Sequence, residues 1–182
     1  DFHSYYAKVP DSVTKGKGSL ATLTPLYKEL YKWDGETKLF GIDADRHFLK
    51  YRTDVYENAA AKAFYKSKTG KELAVPKTWK EYNLHAKTFN GYKPAGQPAG
   101  LKFAGTTEIT QKGGLMFGAF IDRVAPYAKN PNVKGGFWFD ENMVPQVNNP
   151  GFVAGLTDFV EATKFMPVGG KNFDLSKEIE SF

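Results

Sequence analysis

Cysteine is absent from the 182 residues, which removes disulfides, thiolate metal sites and a cysteine nucleophile in one stroke. Histidine is scarce. His3, His47 and His85 stand far apart, without the HExxH or paired-His spacing that a zinc ion needs, so no metal is expected. No apolar run is long enough to span a bilayer, and residues 1–182 contain no signal-peptide pattern. GxSxG, the Walker A loop and GxGxxG are all missing, so serine hydrolysis and nucleotide binding lack their usual anchors. The net charge of +5 comes from lysines interleaved with Asp and Glu. Without a basic block, it describes a solvated surface and not a nucleic-acid arm.

Aromatics, by contrast, are plentiful at 15%, with fifteen Phe, ten Tyr and three Trp. Most such rings fill cores, and a few serve as platforms for ligands. Trp138 follows a glycine pair in a short Phe137-Trp138-Phe139 run, where the ring reads equally as core or as a platform that stacks on a sugar face. Trp79 opens a helix behind Pro76 and is expected to be a core or staple residue.

Turn and cap signals divide the rest. Thr24-Pro25 opens a helix carrying Leu26, Leu30 and Trp33 and ending at Asp34-Gly35. The stretch Leu39–Glu57 places Asp43, Asp45, Arg46 and His47 before an alternating Phe48-Leu49-Lys50-Tyr51 strand. Asp54 then caps a helix running to about Lys68, stopped by Gly70. Thr78 and Glu81 form a capping box for a helix to Phe89. Leu101–Ala104 reads as a strand whose carboxyl end carries Thr106, Thr107 and Glu108, where open sheets bind ligands. Gly114–Asp122 reads as a buried helix and Phe137–Val147 as a hairpin. Asn149-Pro150 opens a helix with Phe152, Val153, Leu156, Phe159, Val160 and Phe165 on its inner face, and Asp174 or Ser176 caps a last helix. Alternating strands and helices predict the α/β class. Asp43 and Asp45 with Glu108 also fit a pair of glycosidase carboxylates, a reading the sequence leaves open.

Three segments in this order, Tyr51-Arg52-Thr53-Asp54, Pro76-Lys77-Thr78-Trp79-Lys80-Glu81 and Asn149-Pro150-Gly151-Phe152-Val153-Ala154-Gly155-Leu156, resemble the extracellular solute-binding proteins of bacterial ABC importers. The similarity is to their carbohydrate-binding, maltose-binding-protein-like group, and spans about Trp33 to Phe182. It implies a periplasmic-binding-protein-like, three-layer α/β/α lobe: residues 1–44 as part of a first lobe with the incoming hinge, and 45–182 as the second lobe. Family members have roughly twice this length, so a fragment is expected. By the same resemblance Asp45 lies at the ligand cleft, His47 shares its strand face, and Glu108 with Thr107 supplies polar contacts. The implied role is capture of a sugar, without catalysis or cofactor, by an extracytoplasmic monomer that delivers it to membrane permease subunits. The alternatives are a non-sugar ligand, with Arg46 and Arg52 suiting a phosphorylated compound and Asp43 and Asp45 a polyamine, and a carbohydrate-active hydrolase.

Overall fold

A computed structural model describes residues 3–15, 25–41, 47–95, 98, 100, 102–128 and 137–182. It divides into two compact units, Asp1–Lys50 and Tyr51–Phe182. Among the described residues, no helix is long and apolar enough to cross a membrane.

The first unit holds a 3-10 turn at His3–Tyr5, helices α1 (Asp11–Thr14) and α2 (Pro25–Leu30), and strands β1 (Lys32–Trp33) and β2 (Glu36–Thr37). Helix α2 stops short of Trp33, because Asp34 and Gly35 both take positive φ, 50° and 76°. That pair makes the tight turn whose twist suits two antiparallel strands, so the chain doubles back instead of extending the helix. Trp33 pairs with Glu36 across it. Val9 donates its N–H to Thr37 O at 2.8 Å and holds the leading segment to β2. Past the hairpin, Phe48-Leu49-Lys50 is unpaired and exposed, Phe48 at 79%.

The second unit is helical. After α3 (Thr53–Tyr56) come α4 (Ala59–Thr69), α5 (Trp79–Phe89), α6 (Met116–Ala128), α7 (Pro150–Thr163) and α8 (Leu175–Glu180). Asp54 does not cap; it sits in the first turn of α3 and takes a two-pronged ion pair from Arg52, at 2.8 and 2.6 Å. The cap belongs to Asn58, whose side chain accepts the Ala61 N–H at 3.0 Å and breaks one expected helix into two. Gly70, at φ 70°, closes α4 in the left-handed conformation. Thr78 accepts the Glu81 N–H, as a capping box requires, while Glu81 reaches one residue further back to the Lys77 N–H at 2.8 Å. Asn149 caps α7 with Pro150 in its first turn, and Asp174 caps α8.

Two apolar clusters form. Val55, Ala61, Tyr65, Leu73 and Phe89 join α3, α4 and α5. Val124, Ala128 and Phe152 join α6 to α7. Helix α7 buries Phe152, Gly155, Phe159 and Ala162, not the whole apolar face read from its sequence. Val153, Leu156 and Val160 are 57%, 49% and 50% exposed. Gly155 explains the rotation: it is the surface on which the α6 backbone rests, so the glycine stripe turns inward and the valines turn out.

The expected three-layer α/β/α lobe is therefore not what forms. The only sheet among the described residues is the β1–β2 antiparallel pair. Phe48–Tyr51 does not become a strand, and neither do residues 102–104 of the second expected strand, whose Leu101 lies outside the described residues. Phe103 instead trades backbone hydrogen bonds with the turn after α5, accepting from Gly91 at 2.7 Å and donating to Tyr92 at 3.1 Å. Four-residue apolar runs carry little strand information by themselves, since a strand exists only with a partner ladder, whereas capped helices close their hydrogen bonds locally. The 137–147 hairpin survives as a single bridge, Phe139 with Pro145. Asp140 Oδ1 accepts from the Asn142 and Val144 N–H groups at its tip.

Candidate functional site

Arg123 stands in the middle of the apolar helix α6, and its side chain has no exposure. A buried guanidinium must find partners, and α5 supplies them. Trp79 and Tyr82 offer their ring faces, with the guanidinium carbon 4.2 and 4.5 Å from the ring centroids. Asn83, one turn on, accepts from Arg123 Nη1 at 2.8 Å, and Glu108 accepts from Nη2. Arg123 Nε has no hydrogen-bond partner among the described residues. The half-buried Trp79 donates its indole N–H to Asp122 O at 2.8 Å, and Asn83 donates to Asp158 O on α7 at 3.0 Å. Tyr82 shares a hydrogen bond with the Thr106 hydroxyl. Burial pushes the Glu108 carboxyl up, against the pull of Arg123. Burial, then the nearby Glu108 charge, push the Tyr82 hydroxyl up strongly, so it stays protonated.

This knot supports an open groove of 430 Å³ between α5 and the end of α7. Lys80, Asn83, Leu84 and Lys87 recur at helical spacing and turn one face of α5 to it. Asn83, with Leu84 and the half-buried Phe165, makes the inner surface; Lys71, Lys80, Lys87, Glu81 and Glu161 stand at the rim. Phe165 is pinned through its carbonyl, which accepts from Gly105 N at 2.7 Å and Thr106 N at 3.3 Å. The groove thus has a mainly apolar inner surface of Leu84 and the Phe165 ring, with Asn83 as its fixed polar group, and charged walls. Nothing in it pairs a nucleophile with a base, and no cluster of metal-binding side chains occurs among the described residues.

The residues expected at the site lie elsewhere. Asp45, with Asp43 and Arg46, is outside the described residues, and His47 is exposed in the first unit. Glu108 is engaged by Arg123 beneath the groove and does not line it. Thr107 is half-buried beside it, its carbonyl accepting from the Thr106 hydroxyl at 3.4 Å. Trp138 is half-buried in an aromatic cluster, stacked on Phe117 at 5.3 Å and edge-on to Phe137 at 4.8 Å. Asn83, Phe165 and the three rim lysines escape motif reading because no motif contains them. Arg123 had a signal: a lone arginine inside Met116–Ala128 has to be buried with partners.

Comparison with protein-family profiles, with curated proteins and with solved structures finds no match to this chain.

Proposed function

We propose that this chain is a carbohydrate-capturing component of an ABC importer, acting outside the cytoplasm and handing its ligand unchanged to membrane permease subunits. The observation that carries capture is the α5–α7 groove. Its volume falls in the usual range for small-molecule sites, roughly 300–1,000 Å³. Hydroxyl-rich ligands need acceptors and donors held in place, and one ring to meet their apolar face. The Thr78 hydroxyl and the carboxylate oxygens of Glu81 and Glu161 that their internal bonds leave over provide the first, and Phe165 the second. The link to an importer comes from the three segments that resemble its solute-binding proteins. Two of them, Pro76–Glu81 and Asn149–Leu156, open the helices α5 and α7 that flank the groove.

Calorimetric titration with a panel of neutral and acidic oligosaccharides, followed by chromatography of the recovered sugar, tests the reading. Saturable binding with the sugar recovered intact is expected, and Phe165→Ala should weaken it. Failure of every saccharide to bind the folded protein removes the proposal, and recovery of cleaved sugar replaces it with a hydrolase.

A further inference from the structure

Three lysines surround the groove, and none of them has a carboxylate partner among the described residues. Lys71 follows α4, while Lys80 and Lys87 stand two turns apart on α5. Two acids face them: Glu161 pairs with Lys164, while Glu81, held ionised by the Lys77 N–H and less strongly by the charge of Lys71, offsets one of the three cations and leaves two. A surplus of positive charge is left over an inner surface whose polar group, Asn83, is committed to Arg123 and Asp158. Unpaired cations converging on a concave surface attract anions and focus their field there.

Resting on the carbohydrate reading, we infer that the groove takes an acidic oligosaccharide, one bearing uronate carboxylates along its length. The spacing of the charges favours this over a phosphate group. Phosphate sites gather several donors on one point, often arginine forks and backbone N–H groups. Here Lys80 and Lys87 are separated by about 10 Å of helix rise, and Lys71 approaches from another element. Cations so spread suit a chain of rings with a carboxylate on each, and Phe165 between the walls suits the face of one ring.

The test titrates trigalacturonate and a neutral trisaccharide into the folded chain, at low and at physiological ionic strength, beside the variant Lys80→Glu/Lys87→Glu. Both lysines are exposed, so the variant keeps its fold, checked by circular dichroism. The uronate should bind more tightly than the neutral sugar, lose affinity with salt, and bind the variant at least about tenfold more weakly. Equal affinity for both sugars, or an unchanged variant, overturns the acidic assignment while leaving carbohydrate capture standing. Absence of binding by either sugar removes both. Inorganic phosphate that displaces the uronate better than chloride at equal ionic strength also overturns it, in favour of a phosphorylated ligand.

Discussion

Gly155 of α7 lies directly against Val124 of α6, so closely that a Cβ built on the glycine would stand 2.7 Å from the valine Cα. No side-chain rotation relieves a contact with backbone. Gly155→Ala should therefore force the two helices apart, at a cost of about 1–3 kcal/mol, offset by up to ~1 kcal/mol of improved helix propensity. Urea unfolding should show a net loss of roughly 1–2 kcal/mol. A stabilised variant would mean that α6 and α7 are not packed here as described.

Arg123 and Glu108 form a buried ion pair, and removing one partner strands the other. Arg123→Met should cost about 3–5 kcal/mol. The double variant Arg123→Met/Glu108→Gln should recover much of that loss, because no uncompensated charge is left inside. A double variant as unstable as the single one would show that the arginine acts through its contacts with Trp79 and Tyr82, and not through its charge.

His85 lies 8% exposed between the rings of Tyr56 and Tyr65, with Nδ1 2.8 Å from the Tyr56 hydroxyl. Burial pushes Tyr56 up to about 12, so that hydroxyl remains a donor. Burial also lowers the His85 pKa, with the charge of Glu81 opposing. The unfolded imidazole, at about 6.5, then takes its proton before the folded one. Above that value the group leaves stability independent of pH. Below it, stability falls until the lower folded pKa is passed. Denaturant midpoints between pH 7.5 and about 5.5 should decline, and His85→Gln should flatten the decline. An equally steep curve in that variant assigns the effect to another group.

Asn149 accepts the Phe152 N–H at 3.0 Å and starts the helix that flanks the groove. Asn149→Ala should cost about 1 kcal/mol, read as a shift of the thermal midpoint, while Asn149→Gly should cost only a few tenths. Equal losses in both variants would place the effect in the Asn149 Nδ2 bond to Gln146 O instead.

Helix starts and stops were the legible part of this chain. Thr78, Asn149, Asp174 and Gly70 act where their residue types predict, because a cap is decided within four residues of sequence. Non-local order was not legible. The four-residue runs at Phe48 and Leu101 read as strands, yet nothing in their own residues specifies a partner to pair with. The Asp34-Gly35 turn was misread as a helix end because its strands are only two residues each. The groove went unseen for a similar reason. Asn83 and Phe165 become neighbours only once α5 and α7 have packed, and no spacing along the chain announces that.

The Arg123 knot also carries an expectation about the order of events in folding. Its bonds link residues 15, 40, 43 and 75 positions apart, while each cap closes within a single turn. Helical turns form in well under a microsecond to about a microsecond, but contacts across such loops wait on the slower search that closes them. The knot is then expected to assemble on helices already made, and an Arg123→Met variant that slows folding as much as it destabilises the protein would overturn that order. Interactions that form after the transition state act as a latch, slowing escape from the folded state more than they hasten arrival.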